Sequence, residues 1–296
     1  MRRNSADGFT LAEMLVSMVV FLFLLMALYS VLTQSQWLRF RNDRRVNIQN
    51  NARIALELMT RDFRMIGCGI PTGFQVNGAA RWTPAIFYAT DTALGFRAEI
   101  DNGHTVLTRS ATSAGGGTDR LYVEDARYYA SAARCGGSAW PLLVVANRKR
   151  WEPVYCVGVD PLRHILFITP GVTDGVFQAA RSEVVTVEQV YYWYAPNPDY
   201  PFGTLYRQAR TVFLPDDGFP PANPDGSTLA THVSALSFQY LDAQGNPLGP
   251  TPLDTAQRTR VARIVITLVA TDRAGPMQAL QSIRLRTEVR LRNEPR

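Results

Sequence analysis

A long stretch without helix breakers constrains the fold most. Residues Phe9 to Ile66, 58 in all, include neither glycine nor proline, and all 18 prolines of the chain lie at Pro71 or later. Because glycine and proline are the residues that interrupt helices, their absence predicts one continuous helix, about 87 Å long at a rise of 1.5 Å per residue. Gly67 and Gly69, followed by Pro71, predict its end.

The first half of this helix is apolar. Met14 to Leu38 is a run of 25 residues without a charged side chain, and a helix needs roughly 20 apolar residues to cross the hydrocarbon core of a bilayer. The run is longer than the apolar region of a secretory signal peptide, and no A-x-A cleavage site follows it. The sequence therefore predicts a membrane-spanning segment that extends to about residue 38. A plain signal anchor remains an alternative.

The second half of the predicted helix is amphipathic. Apolar side chains recur at spacings of three and four residues, which places them on one helical face, and polar side chains occupy the opposite face. We expect the apolar face to dock on a globular domain. Its residues are Ile48, Ala52, Ala55, Leu56, Met59, Phe63 and Ile66, and the polar face carries Asn50, Arg53, Glu57, Arg61 and Arg64.

The remaining 230 residues, 67–296, have a different pattern. Short apolar or alternating runs are separated by clusters of Gly, Pro, Asn and Asp, which is typical of an antiparallel β-rich domain. Twelve candidate strands lie between Ala85 and Arg292, and Glu183 to Tyr194 is one of them. In the last, Ser282 to Arg292, apolar residues alternate with charged ones, so one face is expected to be buried. The predicted fold class is α+β, with the long helix packed on an antiparallel β-rich domain.

A short motif precedes the apolar run. Gly8 to Glu13 reads GFTLAE and follows a basic leader. A lone carboxylate at the edge of hydrocarbon is destabilising by a few kcal/mol unless it has a partner. If the chain is cut after Gly8, the new α-amino group of Phe9 could be that partner. The segment resembles the N-terminus of a type IV prepilin, the signal shared by pilins and the pseudopilins of type II secretion.

This resemblance implies a processing pathway. Residues 1–8 would be the leader, cut after Gly8 by a membrane prepilin peptidase that also N-methylates Phe9. Residues 9–66 would form the helix and residues 67–296 the globular pilin domain. Glu13 would be the fifth residue of the mature chain, and in the family this residue pairs with the terminal amine of a neighbouring subunit during fibre assembly.

Further sequence segments resemble those of PilW-like minor pilins and the related J-type pseudopilins. They are ALELMTRDFRMIGCG, TDRLYVED, VYYWY, GTLYRQ, VSALSFQYLDAQGNP and TEVRLRN. The resemblance implies a minor pilin of a type IV pilus, with other minor and major pilins, the prepilin peptidase and the pilus assembly platform as partners. The subunit would first span the inner membrane with its globular domain in the periplasm, and later join the pilus fibre. A J-like pseudopilin and a membrane-anchored adhesin or receptor that never polymerises are the alternatives.

The charges that flank the apolar run argue against this orientation. Arg2 and Arg3 precede the run, whereas the segment 39–45 after it contains four arginines and one aspartate. Positive-inside counting would place the large domain in the cytoplasm. We give the cleavage motif precedence over this count.

The chain has three cysteines, Cys68, Cys135 and Cys156. In an exported domain two of them are expected to bond, because the periplasm is oxidising. Cys135 and Cys156 flank a loop and a strand and are the predicted pair; a bond between Cys68 and Cys135 is the alternative. Metal ligation by these thiols is not expected, since no Cys-x-x-Cys or Cys/His spacing is present.

We expect no enzymatic activity and no cofactor. His104, His164 and His232 are far apart in sequence, and neither a G-x-S-x-G nor a Walker-type motif occurs. The clusters 216–218 and 223–226 combine Asp, Asn and Gly, which would suit calcium but is also ordinary turn chemistry.

A basic cluster next to an aromatic residue is the only candidate for nucleic-acid binding. It consists of Arg148, Lys149 and Arg150, followed by Trp151. A solvated turn explains this cluster equally well, so DNA is not expected as a partner.

Overall fold

The computed structural model describes residues 11–69, 85–100, 103–111, 118–130, 140–146, 150–172, 177–200, 202–210, 226–273 and 280–291. These residues form one long helix, one short helix and fourteen strands. The elements in chain order are α1 (Leu11–Arg64), β1 (Ile86–Ala89), β2 (Ala93–Ala98), β3 (His104–Val106), β4 (Thr118–Tyr122), β5 (Trp140–Ala146), β6 (Arg150–Asp160), β7 (Ile165–Val172), β8 (Ser182–Val185), β9 (Glu188–Ala195), β10 (Gly203–Arg210), β11 (Ser227–Leu241), β12 (Pro247–Leu248), α2 (Thr255–Arg260), β13 (Arg263–Arg273) and β14 (Leu280–Arg290).

The predicted long helix is confirmed. α1 runs for 54 residues without interruption. It ends in a turn in which the amide of Ile66 donates to the carbonyl of Phe63 at 3.2 Å and the amide of Cys68 donates to the carbonyl of Met65 at 2.8 Å. Gly67 has φ of 75°, a left-handed conformation that glycine adopts without a steric penalty. The glycine predicted to stop the helix therefore does so.

All strand pairs in the described part of the chain are antiparallel, and they form two sheets. The first sheet has the order β1-β2-β9-β10-β11-β13-β14, with β12 paired to β11. The second has the order β3-β8-β5-β6-β7-β4. The fold is thus α+β, with a long N-terminal helix packed on an antiparallel β-rich domain.

The main core lies between α1 and the first sheet. α1 packs against β11, β13 and β14, and its buried residues Ala52, Ala55, Met59 and Phe63 belong to one apolar cluster with residues of that sheet. The Phe63 ring lies at its centre; its centroid is 5.7 Å from that of Phe96, 5.3 Å from that of Tyr192 and 5.7 Å from that of Phe238. The apolar face predicted for the second half of the helix is confirmed.

The last strand follows the predicted alternation. On β14 and just after it, Val289 and Leu291 are buried, whereas Arg284, Arg286 and Glu288 are exposed. One face of this edge strand therefore faces α1 and the other is charged. The second sheet has its own apolar cluster, which includes Leu121, Val123, Cys156, Leu166 and Phe177.

One predicted strand was wrong. Glu183 to Tyr194 is not a single strand but two, β8 in the second sheet and β9 in the first. At the change of sheet, the amide of Thr186 donates to the carbonyl of Gly103 at 3.0 Å and its hydroxyl donates to the same oxygen at 3.1 Å. The residues from Val184 to Trp193 are all buried, and the polar residues Thr186, Glu188 and Gln189 at the change of sheet were the available sign of the break.

The short helix α2 was not predicted. Asp254 caps it, since its side chain accepts from the amide of Gln257 at 2.7 Å while the Gln257 side chain accepts from the amide of Asp254 at 3.0 Å. This reciprocal pair is a capping box. The D-x-x-Q spacing in the sequence was the available signal.

Candidate functional site: the exposed apolar helix and its attachment

The first half of α1 is not covered by the rest of the described chain. Its large apolar side chains from Leu11 to Leu38 are mostly exposed. By length and composition α1 is the one helix in the described residues that is apolar enough to cross a membrane. Such a surface is stable only in hydrocarbon or against other apolar helices, because its exposure to water is unfavourable. The helix near the N-terminus therefore indicates membrane anchoring.

Glu13 lies in the first turn of α1 and is exposed. A carboxylate at this end of a helix interacts favourably with the helix dipole. Val16, Ser17 and Val20 lie beside it on the same side of the helix, so Glu13 is the acidic end of an otherwise apolar surface. Gly8 and Phe9 lie outside the described residues, and the cleavage site and the pairing of Glu13 stay predictions.

Three hydroxyl groups in the apolar half bond within the helix itself. Ser17 donates to the carbonyl of Met14, Ser30 to that of Ala27, and Thr33 to that of Tyr29, each at 2.9 Å. A hydroxyl in hydrocarbon without a hydrogen bond is costly, and bonding to the preceding turn removes that cost. These three polar residues are therefore compatible with a lipid environment.

A buried polar cluster attaches the helix to the first sheet, and the sequence analysis did not predict it. Asp62, on α1, is fully buried. Its Oδ2 accepts from the Tyr192 hydroxyl at 2.7 Å and from Nε of Arg207 at 2.8 Å. Its Oδ1 accepts from Nη2 of Arg61 at 3.3 Å. Tyr192 is on β9 and Arg207 on β10, so one helical carboxylate joins α1 to two neighbouring strands.

The charges in this cluster are compensated. Burial raises the pKa of Tyr192, and the negative charge of Asp62 raises it further, so its hydroxyl stays protonated and continues to donate. Burial on its own would lower the pKa of Arg207, but the oxygens of Tyr192 and Asp62 outweigh this and raise its pKa overall. Asp62 thus has a permanently charged partner. In the sequence, the position of Asp62 between Met59 and Phe63, on the predicted buried face of the helix, was the signal that this carboxylate needs a charged partner.

The cysteines are only partly described. Cys156, on β6, is buried, and its Sγ lies 3.4 Å from the carbonyl oxygen of Gly158, to which it donates. Its register partner on β5 is Trp140, five residues after Cys135 in sequence. Cys135 itself lies outside the described residues, so the bond between Cys135 and Cys156 stays a prediction. Cys68 is partly buried in the turn after α1.

The histidines lie in three different places. Nδ1 of His104 is 3.1 Å from a Glu99 carboxylate oxygen, Nδ1 of His164 accepts from the amide of Ala126 at 3.3 Å, and His232 contacts its neighbour Thr231. The residues that the structure describes contain no group of three or more His, Cys, Asp or Glu side chains suited to a metal ion. The clusters 216–218 and 223–225 and the residues Arg148 and Lys149 lie outside the described residues.

Comparison with protein families gives one match. Residues 3–29 match the prokaryotic N-terminal methylation motif, a region that covers Gly8, Phe9, Glu13 and the first half of the apolar run. No curated protein matches the chain. The motif identifies a precursor similar to type IV pilins and pseudopilins, in which a structural and not a catalytic role is usual.

Proposed function

We propose that this chain is a minor pilin of a type IV pilus, a structural subunit that takes part in pilus assembly and initiation. One observation carries the proposal: the N-terminal methylation motif continues directly into an uninterrupted helix whose first half is exposed and apolar and whose second half is fixed to a β-rich domain. A subunit of this form can be stored in a membrane and later packed against similar helices. Its partners would be other minor and major pilins, the prepilin peptidase, the inner membrane and the assembly platform.

The proposed mechanism transfers the apolar half of α1 from lipid to the helices of neighbouring subunits. Lipid chains are about as apolar as leucine, so this transfer gains little from the hydrophobic effect. Glu13 would then set the register of the helices by pairing with the terminal amine of another subunit. A buried ion pair of this kind specifies alignment more than it adds stability.

The size of the chain supports the minor over the major class. A 33.0 kDa chain with two sheets is bulky for a subunit repeated thousands of times, whereas an initiation complex needs only a few copies. A J-like pseudopilin of type II secretion would have the same architecture. The two are separated by deleting the gene: loss of pili with normal secretion supports the pilin, and loss of secretion with normal pili supports the pseudopilin.

The alternative from another functional class is a membrane-anchored receptor or adhesin that never polymerises. Positive-inside counting of the four arginines after the apolar run opposes export of the domain, which a pilin and an adhesin both need, so it favours only a receptor whose domain stays in the cytoplasm. Mass spectrometry of sheared filaments decides between them. A mature chain that begins at N-methylated Phe9 and is present in filaments supports the proposal. A chain that retains residues 1–8 and is found only in the membrane refutes it.

A matched pair of variants tests the processing site. Gly8→Leu should block cleavage, because a bulky side chain replaces the last residue of the proposed leader, and the chain should remain longer by the leader residues. Ser5→Leu introduces the same side chain into the leader but leaves Gly8 in place, and we expect normal cleavage. Equal cleavage of both variants would contradict the assignment of Gly8.

A further inference from the structure

Four arginines follow the apolar run of α1 directly. Arg39, Arg41, Arg44 and Arg45 are all exposed, and Asp43 is the one acidic residue among them. We call these four residues the arginine collar. The globular domain does not cover the helix here, because the first residue of α1 that packs against the core is Ile48. Within the described part of the chain, none of the four guanidinium groups lies within 4.0 Å of a carboxylate.

The collar side chains are directed toward the end of the apolar run. Side chains on an α-helix tilt toward its N-terminus, and for the collar this is the side of the proposed membrane. Arg44 shows this tilt, since its guanidinium carbon lies 4.9 Å from the centroid of the Phe40 ring, one helical turn closer to the apolar run. Trp37 and Phe40 are 54% and 57% exposed. Aromatic residues at such a position are typical of the interface between lipid and water.

The collar also lies at the depth of the lipid head groups. Ile48 lies ten positions after Leu38, about 15 Å along the helix. A head-group layer is on the order of 5–8 Å thick on each side of the hydrocarbon core. With the apolar run in the core, the backbone at Arg39 and Arg41 would lie in this layer. The side chains of Arg44 and Arg45, about one turn farther from the membrane, would reach back into it.

We propose that the arginine collar binds the phosphate groups of anionic phospholipids. Guanidinium groups form paired hydrogen bonds with phosphate oxygens and lose less hydration than an ammonium group does. The collar and Asp43 together carry a net charge of +3, which complements an anionic membrane surface. Carboxylates of neighbouring subunits are the competing partner. The proposal requires only that the helix spans a membrane, and it holds whether or not the chain polymerises.

Native mass spectrometry of the full chain tests this proposal. The protein is held in a mild detergent and titrated with phosphatidylglycerol or with phosphatidylcholine of the same acyl chains. Each arginine near an anionic surface contributes about a fivefold gain in affinity. We therefore expect at least a fivefold preference for phosphatidylglycerol at low salt, which weakens as ionic strength rises.

Two variants of equal charge locate the site. The collar variant replaces all four collar arginines with glutamine, a residue of similar helix propensity. The control variant replaces four exposed arginines elsewhere with glutamine, namely Arg53, Arg64, Arg284 and Arg286. We expect the collar variant to lose the preference and the control variant to keep it.

Two results would overturn the proposal. One is a wild-type chain that binds both lipids equally; that outcome would favour carboxylates of neighbouring subunits as the partners of the collar. The other is a preference for phosphatidylglycerol that falls equally in the collar and control variants. The preference would then be an effect of net charge and not of the collar. Far-ultraviolet circular dichroism of each variant shows that α1 remains helical.

Discussion

Removal of Arg207 should destabilise the attachment of α1 more than the removal of any surface arginine. The change Arg207→Met keeps most of the side-chain length but deletes the charge. Asp62 is fully buried and would keep the Tyr192 hydroxyl at 2.7 Å and the exposed Arg61 at 3.3 Å. It would lose the 2.8 Å contact with Nε of Arg207, its only charged partner from the sheet in the described chain.

The expected loss can be bounded from the geometry. Removal of one partner of a buried ion pair costs about 3–5 kcal/mol, because the other charge is left without compensation. The Arg207 side chain is 22% exposed, and two other donors still contact Asp62, so we expect the lower end, about 3 kcal/mol. For a folded unit of roughly this size that corresponds to about 6–12 °C in melting temperature.

The assay is urea denaturation of the full chain in detergent, followed by near-ultraviolet circular dichroism. Arg163→Met is the matched control, since Arg163 is 81% exposed and its Nε lies 3.9 Å from Asp160. A surface pair of this kind contributes at most about 1 kcal/mol. If Arg207→Met changes the free energy of unfolding no more than this control does, the role assigned to the buried cluster is refuted.

A triple variant separates the charge effect from packing. Asp62→Leu, Tyr192→Phe and Arg207→Met together replace every buried polar group of the cluster by an apolar group of similar size. Because no uncompensated charge remains, the triple variant should be more stable than Arg207→Met alone, and within about 1 kcal/mol of the wild type. A triple variant that is less stable than the single variant would show that the loss comes from packing.

Three further predictions test other parts of the chain. Glu13→Ala should leave processing intact but reduce incorporation into filaments, counted by electron microscopy, whereas Ser17→Ala, one turn along the helix, should not; normal filament numbers for Glu13→Ala would reject the role of Glu13. The pKa of Tyr192 is raised above the ordinary value of 10.0, so its contribution is present below about pH 10 and is lost as the pH rises further. Urea denaturation at pH 8 and pH 11 should therefore show a steeper loss of stability for the wild type than for Tyr192→Phe, and equal losses would contradict this. Peptide mapping of the exported chain under non-reducing conditions should find Cys135 bonded to Cys156; a bond between Cys68 and Cys135 would favour the alternative pairing.

The helix and the last strand could be predicted because their patterns are local. Absence of glycine and proline fixes the length of α1, and spacings of three and four identify Ala55, Met59 and Phe63 as buried before any contact is known. Alternation does the same for β14. Each of these patterns repeats within a few residues, so a single sequence is sufficient to detect it.

The buried cluster could not be predicted for the opposite reason. The partners of Asp62 are Tyr192 and Arg207, which are 130 and 145 residues away in sequence. Nothing in the local pattern says which of the many arginines will approach this carboxylate. The change of sheet at Thr186 was missed for a similar reason. Glu188 and Gln189 are polar but buried, and the sequence does not show which sheet the apolar segment on each side of them joins.

The charged residues at the two ends of the apolar run, Glu13 and Arg39, determine how α1 would lie in a membrane. Glu13 and Arg39 are 26 residues apart, or about 39 Å along a helix. This exceeds the hydrocarbon core, about 30 Å thick, but falls within the 40–45 Å that includes both head-group layers. In a membrane, then, Glu13 would lie among head groups and water and not at the edge of the hydrocarbon, where the motif alone would place it, so its charge costs little there. Only in a filament would the carboxylate be surrounded by apolar helices and need the amine of another subunit. Glu13→Ala should therefore leave membrane insertion unchanged and act on assembly alone, and a variant that also failed to insert would contradict this placement of the helix.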